Sequence, residues 1–506
     1  MRALIFAAVL ALLPVAVYWQ TATHEYGFRD DYAHLRESHE EPSKLVALTS
    51  SNGRPVYGAV LVASLQGVDD VRDLVRLRFI SVTLLSAVGL VLWAFLRRYG
   101  WGDLEAAAIG VGVALLPGAQ VVVGWAIAWP IALGLLAALL GFWLVEAHLS
   151  RSGTRRVAGV LAGAALYLIA GLTYQTSALF AIVPLAALLL VREDERPLGH
   201  ARWVVTHIGV LFVSLVVGLL AMDVVFSESL VPAAARMRIE PHPFLKLLWF
   251  VRNPLPNALG LFELRDGAAT QLSFWIVTTM FGAIMTLGLF YGGNGRLQKL
   301  RWLFCLLALP FVAHSVSLAA SSQAIGYRTL LPLSGLFLVL LVFAMRAVGR
   351  AGSVRPATQA TALGVLVFSA AVLAHHNSYT LIAEPQGREW QLFHAAAAQL
   401  RLAPDTDVYI VRPTVDDRST EELYDDEFGS LSSDADWAAK EMFKTALRER
   451  FPATVADGRS YRLETGWLPP TQPGNYDLVL DVRRLKNEGD RTVAAAMGQE
   501  PTALRR

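Results

Sequence analysis

The chain is 506 residues long, 54% hydrophobic and only 17% charged, whereas a soluble globular protein carries about 25% charged residues. Its formal net charge is +2, and its basic residues sit in short clusters between apolar runs, so no nucleic-acid partner is expected. A single cysteine, Cys305, lies inside an apolar run; this excludes an intrachain disulfide, speaks against a thiolate metal site, and reads as packing.

Charge is sparse up to about residue 375 and dense from about residue 384, which divides the chain into a membrane domain, 1–380, and a soluble domain, 381–506. The first apolar run, Ala3 to Trp19, follows Met1 and Arg2 and has a loose small-x-small site at Thr21-Ala22-Thr23. A cleavable signal has a shorter apolar core, and the topology below needs this helix, so it reads as retained. Further windows of about twenty mostly apolar residues lie near 77–96, 105–123, 126–147, 157–173, 176–191, 203–225, 273–292, 302–320, 329–346 and 357–375. The expected total is about eleven crossings, with the pair around Trp125 to Pro130 open to being one broken helix. Gly159 to Gly171 is rich in small residues, suited to close helix packing.

Every second short loop is basic: Arg97 and Arg98, then Arg151, Arg155 and Arg156, then Arg192, Arg196 and Arg202. Arg296, Lys299 and Arg301, and then Arg346, Arg350 and Arg355, continue the series, while the intervening short loops hold one basic residue, Arg328. Positive charge stays in the cytoplasm. The N-terminus is therefore expected inside and the C-terminal domain outside, with two long outer loops at 21–76 and 227–272. The first contains Val56 to Leu65, read as an amphipathic surface stretch; the second is proline-rich and reads as a folded cap. In the tail, Asp407 to Val411 and Tyr476 to Val482 have strand patterns, while Trp437 to Arg450 and Glu389 to Leu400 have helical spacing. The fold class is thus a polytopic α-helical membrane protein with a small C-terminal α/β domain.

Chemistry-bearing residues gather on the outer side. Asp30 and Asp31 lie in Phe28-Arg-Asp-Asp-Tyr32, just past the first span. Adjacent carboxylates raise one another's pKa, and burial against Phe28 and Tyr32 adds to this, so one of them suits general-base work on a hydroxyl. The pair also suits a solvated loop or a divalent cation. Asn52-Gly53 marks a turn. Arg54 after it either faces water or, if held near the acid pair, grips a phosphate through two hydrogen bonds, with Tyr57 close behind. Tyr174 and Gln175 end the fifth span, as a helix terminator or as the lining of a polar pocket. Arg328, in Gly326-Tyr-Arg-Thr-Leu-Leu-Pro332, breaks the charge rule and calls for an anion partner; Arg236 and Arg238 are weaker candidates. His314, within a span, reads as packing.

Phe28-Arg-Asp-Asp-Tyr32, Gly53-Arg54-Pro55 and Tyr174-Gln175 together resemble the membrane glycosyltransferases of the GT-C fold, and more narrowly the type II O-antigen-modifying glucosyltransferases. The resemblance covers the membrane domain and leaves the tail unexplained. It implies an enzyme of the bacterial inner membrane that moves a hexosyl group, a glucosyl group by its nearest resemblance. The donor would be a polyprenyl-phosphate sugar and the acceptor a periplasmic glycan such as O-antigen or another lipopolysaccharide or surface polysaccharide. One Asp would act as base, the anomeric carbon would invert, and Arg54 and Arg328 would stabilise the departing phosphate. No cofactor and no metal are expected, although the paired Asp leaves a divalent cation open. A polysaccharide ligase or polymerase, a lipid-linked sugar flippase, and a non-catalytic assembly protein are the alternatives.

Overall fold

The computed structural model describes residues 2–192, 197–227, 238–265, 272–292, 295–323, 326–400, 406–413, 426, 429–451 and 461–485. It is a multi-pass α-helical membrane protein with a small C-terminal α/β unit. Among the described residues eight helices are long and apolar enough to cross a bilayer, from Ala3–Thr23 through Pro356–Gln399, and Asp103–Leu115 with Pro117–Gly124 forms a further apolar pair bent by 47°. Pro117 makes this break because a proline inside a helix removes one amide donor and crowds the preceding turn. Two of the eleven expected crossings take another form. The 176–191 window is an apolar helix of Gln175–Val191, shorter than the others. The 302–320 window is segmented into helices Arg296–Leu303, Leu309–Ala313 and Ser315–Ala319 around a π-helical turn at Phe304–Ala308. The pair near Trp125 is two elements, meeting where Trp125 itself is extended.

The helices Trp129–Leu149 and Gly153–Thr173 form the closest pair. A side chain at Gly163 would strike the Gly141 carbonyl and Val145, so the small-residue reading of this segment holds. Helix Leu331–Ala351 is buried along nearly its whole length, whereas Val205, Val213 and Phe368 expose 60–70% of their surface to what would be lipid.

The segment expected as the first outer loop is helical rather than irregular. It contains Asp30–Glu40, Pro42–Ser51 and Pro55–Leu65. The last of these is apolar on every side apart from Tyr57 and Ser64, so the amphipathic reading is corrected. It packs on the neighbouring loop helix and on Gly153–Thr173. Of the segment expected as the second outer loop, helices Pro243–Arg252 and Pro254–Leu259 are described; Arg236 lies outside the described residues.

The last span runs without interruption from Pro356 through a π-helical segment at Asn377–Ala383 into Glu384–Gln399, so the membrane domain and the tail are joined by one continuous helix. The tail carries a parallel sheet of β1 (Thr406–Val411), β2 (Tyr461–Gly466) and β3 (Leu478–Asp481) in the order β2-β1-β3. Val411 pairs with both Gly466 and Asp481, which brings the three carboxyl ends level. Helix Asp436–Arg450 packs against Glu384–Gln399 on one side and against Asp30–Glu40 of the outer loop on the other. β1, β3 and both helices follow the sequence reading. β2 escaped it, because Tyr461-Arg-Leu-Glu-Thr-Gly466 lacks a long apolar alternation.

Candidate active site

Asp31 is wholly buried, and each of its carboxylate oxygens accepts a backbone N–H. The donors are Phe28 at 2.8 Å and Ile127 at 3.1 Å. Asp31 thereby ties the first outer loop to the short turn between the third and fourth spans. Two tyrosines reinforce the same join: Tyr26 donates to the Gly124 carbonyl at 2.8 Å and Tyr57 to the Ile127 carbonyl at 2.6 Å. Arg78, buried near the start of the Leu74–Arg98 helix, donates to the carbonyls of His24 and Tyr26 and lies over the Tyr26 ring. Burial pushes the Asp31 carboxyl up to about 6, opposed by the Arg78 charge and by the Phe28 and Ile127 amides, with Asp30 pushing it further up.

That shift has a stability consequence. The ordinary value is 3.8, so the folded chain holds this proton more tightly than the unfolded chain does. The contribution of Asp31 to stability is therefore greatest below pH 3.8 and is lost as the pH rises through 6, a fall of roughly 3 kcal/mol. In thermal unfolding of the detergent-solubilised chain, Asp31→Asn is expected to flatten the decline in Tm between about pH 4 and 6. A slope equal to that of the wild type would show that the dependence comes from another group.

Asp30 contrasts with its neighbour. It is half-buried at the start of its helix, and among the described residues no side-chain hydrogen bond or ion pair engages its carboxylate. It is close enough to Tyr57 to act on it: burial raises the Tyr57 hydroxyl, Arg54 and Arg328 pull it down, and Asp30 pushes it up. Tyr57 therefore feels both the Asp30 carboxylate and a cluster of cationic residues.

In that cluster the Arg54 guanidinium lies 4.1 Å above the Tyr174 ring and donates to Gln175 Oε1 at 3.1 Å. Gln175 in turn donates to the carbonyls of Asn52 and Gly53 at 2.9 and 3.0 Å, and Gly53 takes the left-handed conformation that the turn demands, with φ of 72°. Arg328 is nearly buried, donates to the Tyr174 hydroxyl at 2.9 Å and sits 4.6 Å from the Trp125 ring. Trp125 meets Phe28 edge-on at 5.4 Å. An unbroken set of contacts thus runs from the aspartate motif through Phe28, Trp125, Arg328 and Tyr174 to Arg54.

Arg54, Tyr174, Gln175, Arg328 and the exposed Arg238 help to line a cavity of about 340 Å³. Leu168 and Leu172 on one helix and Phe212, Leu215 and Leu219 on another give it much apolar wall, with Asn52, Thr176, Ser214 and Thr329 among its further polar residues. Neither aspartate and not Tyr57 belongs to this lining. Among the described residues no group of three His, Cys, Asp or Glu side chains could hold a metal ion. His314 is buried against Trp249 and Phe250, as its packing reading expects.

The tail reaches this site as well. Arg29, immediately before Asp30, has φ of 40°, a conformation that costs a non-glycine residue about 1–3 kcal/mol. Its guanidinium grips Asp434 with contacts of 2.8 and 3.0 Å and donates to Ser430 at 2.7 Å, while its N–H donates to Ser432 Oγ at 3.0 Å. Glu389 accepts the Ser432 and Ser433 amides, both at 2.9 Å, and so fixes the segment that holds Arg29. Tyr32 stacks on Trp390 at 5.4 Å, Arg36 pairs with Glu441 at 3.0 Å, and Asp426 accepts the Tyr327 amide at 3.0 Å. Of these residues, sequence reasoning gave no role to Arg29, Arg78, Trp125 or Asp434. Arg78 had a visible signal, the arginine that comes last, after Arg72 and Arg76, before a long apolar run; Asp434 had none.

No protein-family model matches the chain, and no curated protein matches it. Among solved structures it is similar to the archaeal oligosaccharyltransferase AglB from Archaeoglobus fulgidus in complex with an inhibitory peptide and a dolichol-phosphate, at 13% identity and a TM-score of 0.42. The match covers 88% of this chain and 64% of that one, so this chain spans less than two thirds of the length of AglB. Likeness of that degree carries neither fold nor function, and both rest on the residues described above.

Proposed function

We propose that the chain is a membrane glycosyltransferase of the GT-C type that moves a hexosyl group from a polyprenyl-phosphate donor to a glycan acceptor. On this reading the N-terminus is cytoplasmic, the site faces the periplasm of a bacterial inner membrane, and a glucosyl donor with an O-antigen-like acceptor is the nearest fit. The observation that carries it is the cavity: a largely apolar cleft between spans whose lining includes Arg54, Arg328, Arg238, Tyr174 and Gln175, with the Asp30 carboxylate close enough to bear on Tyr57. An isoprenoid chain suits the apolar part and its phosphate suits the arginines.

Asp30 takes the proton of the acceptor hydroxyl as that oxygen bonds to the anomeric carbon. The bond to the donor phosphate oxygen breaks in the same displacement, inverting the centre, and the electron pair leaves with the phosphate. Arg54 and Arg328 stabilise the charge that develops there. Asp31, with both oxygens occupied and no exposed surface, holds the loop and takes no part in the proton transfer. In this reading the positive charge comes from the arginines and no metal is required.

The test is a reconstituted assay with a radiolabelled polyprenyl-phosphate hexose and a glycan acceptor. Wild-type chain is expected to label the acceptor. Arg54→Ala and Arg328→Ala are each expected to raise the donor KM or lower kcat/KM by about 10- to 100-fold, as loss of a charge-assisted phosphate contact implies. Absence of transfer by the wild type, or donor kinetics unchanged in both variants, would overturn the proposal.

A further inference from the structure

The carboxyl edge of the tail sheet lies beside the aspartate motif and carries side chains that the reaction described above does not use, although Asp436 also accepts from Lys440 and Thr465. Arg412 directly follows β1, Trp467 directly follows β2, and Asp436 and Trp437 open the helix between those strands. In open parallel sheets, ligands bind in the crevice outside the carboxyl ends of the strands, where neighbouring connections leave in opposite directions. The carboxyl end of β1 lies between those of β2 and β3.

Trp467 is 59% exposed and Trp437 44%, a costly display for two large apolar rings on one edge. The Arg412 guanidinium lies 5.3 Å from the Trp467 ring. Arg412 is 91% buried and donates through Nη1 to the Asp434 carbonyl at 2.6 Å. Among the described residues its buried Nε has no hydrogen-bond partner, and the Asp436 carboxylate lies 3.9 Å away. Asp434 is also the residue that grips Arg29, next to Asp30. The edge therefore leads from Trp467 through Arg412 and Asp434 to the proposed base.

We propose that this edge binds the carbohydrate acceptor, with Trp467 and Trp437 stacking on sugar rings and Arg412 and Asp436 hydrogen-bonding to ring hydroxyls. The inference rests on the transferase reading and supplies what that reading lacks, a place for the second substrate and a task for the tail. Aromatic faces meet the apolar C–H faces of sugar rings. A cation and a carboxylate side by side supply donors and acceptors for the alternating hydroxyls, and a glycan held there delivers one of them towards Asp30.

The test uses full-length chain in detergent on an array of defined neutral and acidic oligosaccharides, with farnesyl phosphate as a separate probe of the membrane cavity. Wild-type chain is expected to retain one class of oligosaccharide. Trp467→Ala should weaken that binding at least tenfold, Trp467→Phe should keep most of it, and farnesyl phosphate should bind all three chains alike. No oligosaccharide bound by the wild type, or equal binding by Trp467→Ala, overturns the acceptor surface. The transferase reading fails separately, through an Asp30→Asn chain that still transfers sugar, because array binding needs no turnover.

Discussion

Replacing Asp30 by Asn is expected to lower transfer by about 10²–10⁴-fold, the usual worth of a positioned general base, with donor binding and Tm close to wild type. The two aspartates separate on geometry. Asn is nearly the size of Asp and, at position 30, disturbs no described hydrogen bond, so only the proton acceptor is lost. At position 31 the same exchange sets an NH₂ group against one of the two backbone amides that both carboxylate oxygens now accept. An unsatisfied buried donor costs about 1–3 kcal/mol. Asp31→Asn should therefore report through Tm and through release of the loop at Phe28 and Ile127, while Asp30→Asn reports through kcat with Tm unmoved. Equal loss of kcat and of Tm in both variants would contradict this division of labour.

Arg29→Ala is expected to lower kcat by about 10- to 100-fold while leaving the donor KM within twofold, because a small misplacement of a reacting group costs rate before it costs binding. The strained φ of 40° at Arg29 is held by contacts that the tail alone supplies: the two-pronged grip on Asp434, the Ser430 hydroxyl and the Ser432 hydroxyl. Alanine loses the side-chain contacts and keeps the strain. Arg29→Gly loses the same contacts and relieves the strain, so it should recover part of the Tm and none of the rate. Asp434→Ala should copy Arg29→Ala, and the double variant should be no worse than either single one, as a shared interaction demands. A merely structural Arg29 would instead recover its rate together with its stability in the glycine variant. Additive losses would likewise dissociate the tail from the placement of Asp30.

What the sequence determined by itself follows from periodicity and composition, which act locally. Runs of twenty apolar residues have to be helical where no water is present to satisfy the backbone, and Asp407 to Val411 has to alternate between a buried face and an exposed one. Trp437 to Arg450 likewise shows its buried stripe. The expectation that Asp30, Arg54, Gln175 and Arg328 share one side rests on the basic loops, since loop charge is read along the chain. The segmented 296–319 stretch was less legible, because hydropathy measures the length of an apolar run and is blind to a π-helical turn at Phe304–Ala308.

Only the tertiary structure decided which groups meet. Nothing along the chain separates Asp30 from Asp31; the difference is that the amides of Phe28 and Ile127, 96 positions apart in the second case, converge on Asp31 alone. Arg328 and Arg54 share Tyr174 because the ends of distant spans come together there. Arg29 acquires its role from Asp434, 405 residues away, in a domain whose sequence shows an α/β pattern and no site. Patterns of hydropathy and charge reach a few turns of helix, whereas a catalytic site is a convergence of side chains from separate elements, and its geometry exists only once those elements have packed.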